Sequence, residues 1–200
     1  YLKKGDTVAI TCPAGYLMKE KVQTCIETLQ QWGFEVMVGK TVGSSSKNYF
    51  SATDEDRSDE LQAMLDDKNI KAILCGRGGY GMGRIIDCLD FSLFKKNPKW
   101  IIGFSDITVL HCHLNSRLHV ASIHGPMAAA FNNGEYNNEY VQSLRKILTG
   151  KKLKYISTTH AFNQTGLCSG ELVGGNLALI THLIGTKSDL VTKDKILFLE

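Results

Sequence analysis

The segment Trp100-Ile101-Ile102-Gly103-Phe104-Ser105-Asp106 gathers, at one corner, the residue types that a covalent hydrolase needs. It reads as a buried strand that stops on a serine. Ile107, Val109 and Leu110 then supply the apolar positions of a helix that begins at once. A serine on such a corner has its hydroxyl pushed out of the sheet, and the N–H of Asp106 is free to stabilise an oxyanion. Gly103 removes a side chain where the corner is tightest. Asp106 sets a carboxylate in the first helical turn, where the dipole favours it. The fit to G-x-S-x-G is partial, because Ile107 stands where the second glycine would be. Two readings stand on this pattern: a nucleophile, or a serine that N-caps the helix.

A second chemical element is Gly76-Arg77-Gly78-Gly79-Tyr80-Gly81. Its four glycines leave backbone N–H groups free to point into a cleft, or simply make a tight turn between strand and helix. The spacing matches a loose G-x-G-x-x-G, but no acidic residue closes a second strand about 20 residues later, so a dinucleotide site is not expected. No complete P-loop pattern occurs either. His111 and His113 are two apart and would point to different faces of a helix, so they cannot share one ion. His119, His124, His160 and His182 have no ligand-like spacing, and no metal or cofactor is expected. His124 opens the turn His124-Gly125-Pro126-Met127, where it lines a cleft or caps the turn. Glu200 closes the apolar run Ile196-Leu197-Phe198-Leu199; it reads either as the acid that orients a triad histidine or as a solvated end.

The elements that must carry these groups alternate. Residues 7–11, 34–38, 71–75 and 100–104 read as strands, with a shorter one at 120–123. Helices are expected at 18–32, ended by Gly33, at 54–67, between the glycine loop and Leu89, and from the serine corner to about residue 116. Residues 39–51 read as an exposed loop. Such alternation predicts an α/β fold with a parallel sheet covered on both faces and ligands at the carboxyl ends of the strands. Both the glycine loop and Ser105 fall at such ends. Residues 140–148 make another helix, and Thr149-Gly150-Lys151-Lys152 marks a boundary. Beyond it, strands are expected at 153–157, 170–173 and 196–200, with a helix at 176–184. About 50 residues are too few for an independent second core, so the sequence reads as a piece of a longer protein.

Composition is that of a soluble globular chain: 200 residues, 43% hydrophobic and 22% charged, enough for a substantial core. The net charge of +3, from 23 basic and 20 acidic residues scattered in both signs, argues against nucleic acid. No apolar run approaches the roughly 20 residues of a membrane helix. Six cysteines without any C-x-x-C predict free thiols rather than a disulfide framework, which favours the cytoplasm.

Taken together, the chain resembles the LD-carboxypeptidase family, serine peptidases that include murein tetrapeptide carboxypeptidases and microcin C self-immunity peptidases. The matching residues run in order: Gly5-Asp6-Thr7-Val8-Ala9-Ile10, Arg77-Gly78-Gly79-Tyr80-Gly81, Ile102-Gly103-Phe104-Ser105-Asp106-Ile107-Thr108 and His124-Gly125-Pro126-Met127. Gly170-Glu171-Leu172 with Gly174-Gly175-Asn176-Leu177, and Ile196 to Glu200, complete the set. The resemblance implies a flavodoxin-like nucleophile domain over residues 1–148 and the truncated start of a β-rich C-terminal domain over 149–200. It implies a Ser–His–Glu triad with Ser105 as nucleophile and Glu200 as acid. Gly79 (or Gly78) and Asp106 would be oxyanion donors, with Gly78, Tyr80, His124 and Asn176 near the substrate. The triad histidine would lie downstream of Glu200, so this stretch alone is expected to be inert. The implied activity is metal-independent release of terminal D-alanine from murein tetrapeptide, in cytoplasmic peptidoglycan recycling, with a homodimer possible. Alternatives are a microcin-type immunity peptidase cleaving an acyl-nucleotide mimic, and a non-catalytic α/β module binding an anionic ligand at the glycine loop.

Overall fold

The computed structural model describes residues 1–44 and 48–200. Five strands, β1 (Thr7–Thr11), β2 (Glu35–Val38), β3 (Ile70–Cys75), β4 (Trp100–Gly103) and β5 (Ile123–His124), form one parallel sheet in the order β2-β1-β3-β4-β5. This is the flavodoxin-like order, and its ligands lie at the carboxyl ends of the strands. The connecting helices are α1 (Gln23–Gln31), α2 (Asp54–Asp66), α3 (Met82–Ile85), α4 (Ser92–Lys96), α5 (Thr108–His113) and α6 (Glu139–Leu148).

Both faces of the sheet are covered, so successive strand residues are apolar rather than alternating. Val8, Ile10, Ala72, Leu74 and Ile102 face Cys25 and Leu29 of α1 and Val141, Leu144 and Leu148 of α6. Ala9, Ile73 and Ile101 turn the other way, onto Leu61, Met64 and Leu65 of α2, Phe94 of α4 and Val109 and Leu110 of α5. Helix α2 starts on a capping box in which Thr53 and Asp56 satisfy each other's amides.

Beyond α6, a single βαβ unit follows a long irregular stretch: β6 (Leu172–Gly175), α7 (Leu177–Leu183) and β7 (Ile196–Leu199), the two strands pairing parallel. Leu179, Ile180 and Leu183 of α7 pack into the same apolar cluster as α5. The unit is thereby fastened to the helix that follows the serine corner.

Several expectations need correction. The strand expected at 120–123 is only Ile123–His124. The reason is that α5 runs on into a π-helical turn, Leu114–Leu118, closed by His119 at φ 55° and by Val120 N–H donating to Leu114 O. The strand expected at 153–157 does not form: Tyr155 and Ile156 are exposed, and no strand lies alongside to pair with them among the described residues. Helix α4 adds a turn that the sequence pattern does not announce, since five residues give no usable periodicity. The stretch 39–51 is not simply exposed. Thr41, Val42 and Ser51 are buried, and Phe50 bridges to Gly15. Residues 45–47 of that expected loop lie outside the described residues. No helix among the described residues is long and apolar enough to cross a membrane.

Candidate active site

The serine corner is built from the end of β4. Phe104 is still extended, and Ser105 then takes φ 59°, in the left-handed region, before the turn Ser105–Ile107 feeds α5. A non-glycine residue there costs on the order of 1–3 kcal/mol and persists only where its surroundings impose it. They do: Ile102 and Ile107 on either side are fully buried. At Gly103, an added Cβ would lie 2.8–3.0 Å from the Ile107 side chain, so only glycine lets the corner close. Ser105 does not cap the helix. The N-cap position belongs to Phe104, and the Ser105 hydroxyl makes no hydrogen bond among the described residues. That removes the capping reading and leaves a free hydroxyl on a strained turn.

The glycine loop lies against this corner. A Cβ on Gly78 would sit 3.1 Å from Ser105 Cβ, 3.2 Å from its Oγ and 3.3 Å from Asp106 N. Gly79 has φ 110°, and a Cβ there would run into the Tyr49 ring. Among the described residues the amides of Gly78 and Gly79 have no acceptor. The Asp106 amide is in the first turn of its helix, where N–H groups lack intrahelical partners. Three backbone donors thus remain available near one hydroxyl. The loop is held from outside by Gly15 N–H donating to Gly78 O at 3.2 Å and by Arg77 Nη1 donating to Tyr16 O at 3.2 Å. Tyr80 is half exposed, its ring 5.9 Å from that of Phe50.

Asp106 has a second task. Its buried carboxylate accepts from Met82 N at 2.8 Å, which starts α3 and closes the loop onto the serine corner. Burial pushes its pKa above the ordinary carboxyl value, opposed by the Met82 amide and by Arg57. Arg57 is itself wholly buried and donates to Pro13 O and Gly81 O.

A second cluster joins His124, Glu200 and Asn176. His124 Nε2 lies 2.9 Å from Glu200 Oε2, each side chain about one-third exposed (31% and 32%). Asn176 Nδ2 is 3.5 Å from Glu200 Oε1, at the limit of a hydrogen bond. Burial holds the His124 imidazole below its ordinary value, against the opposing pull of the Glu200 carboxylate. Glu200 extends β7: its N–H donates to Gly175 O and its C=O accepts from Leu177 N. The tether between the two clusters is Thr108, whose Oγ1 accepts from Asn176 N at 3.0 Å and against which Gly175 packs. Beside His124 opens a cavity of about 950 Å³ whose wall includes His111, Asn115, Tyr140, Tyr155 and Phe198, but not Ser105.

The structure therefore gathers Ser105, Asp106, Gly78 and Gly79 into one group and His124, Glu200 and Asn176 into another, and leaves Tyr80 at the rim. Sequence reasoning missed three contributors. Thr108 stands three residues after Ser105, a helical spacing that would have placed it on the same face. Buried His111 donates from Nε2 to Gly103 O, and Arg57 had no local signal at all. Gly39-Lys40-Thr41, a fragment of a phosphate-loop pattern, instead binds the Glu60 carboxylate through Thr41 N and Oγ1. A carboxylate in that position repels phosphate. Burial pushes the Cys12 thiol up to about 12 and that of Cys112 to about 11, so neither offers a rival nucleophile. Among the described residues no group of three or more His, Cys, Asp or Glu side chains could hold a metal ion.

Comparison with known proteins agrees with this architecture. Residues 8–125 match the LD-carboxypeptidase N-terminal domain and residues 169–200 the LD-carboxypeptidase C-terminal domain. The chain belongs to the LD-carboxypeptidase family. It is 34% identical over 202 residues to a probable murein peptide carboxypeptidase of Bacillus subtilis, covering 100% of this chain and 63% of that protein. Among solved structures it resembles a muramoyltetrapeptide carboxypeptidase from Oxalobacter formigenes, with a TM-score of 0.83 and 29% identity over 96% of this chain and 65% of that one. The fold also matches MccF in complex with glutamyl sulfamoyl guanosine, with a TM-score of 0.85 and 22% identity over 99% of this chain and 69% of that one. The chain thus spans about 63% of the length of its Bacillus relative.

Proposed function

We propose that Ser105 is the nucleophile of a metal-independent serine carboxypeptidase that releases the terminal D-alanine of a murein tetrapeptide. In this reading Ser105 Oγ attacks the carbonyl of the bond between an L-centre and D-alanine. The tetrahedral oxyanion is held by the amide of Asp106 and that of Gly79, with Gly78 the neighbouring alternative. Glu200 orients a histidine contributed from beyond Glu200, which takes the serine proton and returns it to the departing amine. D-alanine leaves, and water then hydrolyses the acyl-enzyme. Residues 1–200 alone would lack that base. Loss of a triad member in well-studied serine hydrolases costs on the order of 10⁴–10⁶-fold in rate, so the isolated stretch should be inert.

The observation that carries the reading is Ser105 itself: at φ 59° on a strand-to-helix corner, its hydroxyl and the neighbouring Gly78 and Gly79 amides are unpaired among the described residues. The similarity to a probable murein peptide carboxypeptidase supports the substrate class. The test is D-alanine release from muramoyl tetrapeptide by the protein carrying a complete C-terminal domain, with an aminoacyl sulfamoyl nucleotide offered in parallel. Release that is lost in Ser105→Ala supports the reading. Turnover of the nucleotide alone favours the microcin-type alternative. Binding without turnover of either compound would sink the enzyme reading in favour of a binding module.

A further inference from the structure

We infer that His124 is a positioning residue that fixes the Glu200 carboxylate in the orientation from which it serves a triad histidine. The inference rests on the roles proposed above for Ser105 and Glu200.

His124 is placed by the sheet rather than by its own turn. In the ladder it pairs with Gly103, two residues before Ser105, and the following Gly125 N–H donates to Gly103 O at 3.0 Å. Its backbone is therefore registered to the serine corner. The ring is enclosed by Phe198 at 5.0 Å, Phe104 at 6.1 Å and His111 at 6.4 Å between centroids, which restricts its rotation. From that fixed ring Nε2 reaches Glu200 Oε2 at 2.9 Å.

Glu200 needs such a partner. Its backbone is held by Gly175 and Leu177, but its side chain has three rotatable bonds and is partly exposed. Asn176 reaches it only at 3.5 Å. A carboxylate offers about four lone-pair directions, so one bond from His124 and one from Asn176 leave room for a third donor. The chemistry of the donor also matters. A lysine or arginine here would cancel the negative charge that steadies an imidazolium. The half-buried imidazole favours its neutral form, and a neutral Nε2–H positions the carboxylate without cancelling its charge. His124 makes no hydrogen bond to Ser105 Oγ, and its polar partner among the described residues is Glu200, through which it acts.

The test is steady-state hydrolysis of muramoyl tetrapeptide by the protein carrying a complete C-terminal domain, comparing wild type, Ser105→Ala, His124→Ala and His124→Gln, each also checked by thermal unfolding. Glutamine keeps an N–H donor at about the reach of Nε2. Because a misplaced catalytic group costs up to about 100-fold, His124→Ala should lower kcat by about 10- to 100-fold with KM within about twofold. His124→Gln should recover most of that loss. Wild-type kcat in His124→Ala, while Ser105→Ala is dead, overturns the inference and spares the proposed function. So does a His124→Gln protein that melts like wild type yet is as slow as His124→Ala. Turnover that survives in Ser105→Ala overturns the proposed function and this inference with it.

Discussion

Asp106 Oδ2 accepts the Met82 amide at 2.8 Å, so the residue that follows the candidate nucleophile also starts helix α3 and closes the glycine loop. One side chain thus couples the glycine loop to the serine corner, although they come from different strand ends. The coupling is costly, because the carboxylate is buried and its other oxygen has no partner among the described residues.

Replacing this carboxylate separates its two effects. Asp106→Ala leaves the buried Met82 N–H without an acceptor and should cost about 1–3 kcal/mol of stability. Asp106→Asn keeps an acceptor and removes the charge. A carboxyl whose folded pKa is raised contributes its stability in full below the unfolded value of 3.8 and loses it as pH rises through the folded value. Wild type should therefore lose stability relative to Asp106→Asn as pH rises, and Asp106→Asn should be the more stable protein at neutral pH. Urea unfolding of both from about pH 3 to about pH 7 reads the difference directly. A constant difference across that range would mean that the buried charge carries no cost.

The strain at Ser105 predicts opposite effects on stability and chemistry. Glycine tolerates φ 59° freely, whereas serine does not. Weighing left-handed strain of about 1–3 kcal/mol against the extra chain entropy of glycine, Ser105→Gly should stabilise the fold by about 1 kcal/mol. It should also abolish hydrolysis. Thermal unfolding and D-alanine release measure the two; a Ser105→Gly protein that melts lower than wild type would argue against strain at the corner.

Gly78→Ala tests the closeness of the loop to the serine. Gly78 is not in the left-handed region, so alanine meets no backbone penalty there. Its methyl would instead press on Ser105 Cβ, Oγ and the Asp106 amide at 3.1–3.3 Å. A shift of a few tenths of an ångström in the proposed nucleophile should lower kcat on the order of 10- to 100-fold, with stability nearly unchanged. Unaltered kcat would place the reacting atoms elsewhere.

What could be read from the sequence follows from burial. Strands β1, β3 and β4 fall within a residue of expectation because strands covered on both faces show as unbroken apolar runs. Ser105 and the glycine loop were legible because each sits at the end of such a run. The strand expected at 153–157 has the right residue types but no neighbour among the described residues, and no local pattern reports the absence of a neighbour. The meeting of His124 and Glu200, 76 positions apart and on different sheets, likewise depends on the tether from Thr108 to Asn176. His124 reads as either cleft or turn for that reason: the group its ring meets is set by where Glu200 arrives.

His111 gives the fold an acid limit close to the same corner. Its Nε2 donates to Gly103 O at 2.9 Å, so Nδ1 is the unprotonated nitrogen, and it is buried without a partner among the described residues. Burial lowers the imidazole pKa from 6.5 to about 4. A lowered histidine contributes stability that is complete above the unfolded value and is lost as pH falls through the folded one. At about 1.4 kcal/mol per pH unit, the span from 6.5 to about 4 is worth about 3 kcal/mol. His111→Gln, which keeps a donor for Gly103 O and cannot be protonated, should flatten the stability of the protein over that window. Urea unfolding at several pH values between those limits checks it. The Gly103 carbonyl is the last acceptor of β4 before Phe104 and Ser105, so protonation of His111 should loosen the serine corner first. The amide of Ile107, donated to Phe104 O, should therefore lose hydrogen-exchange protection in acid before the amides of β1 do. Equal loss at both would mean that acid unfolds the sheet as a whole, and that His111 guards no particular part of it.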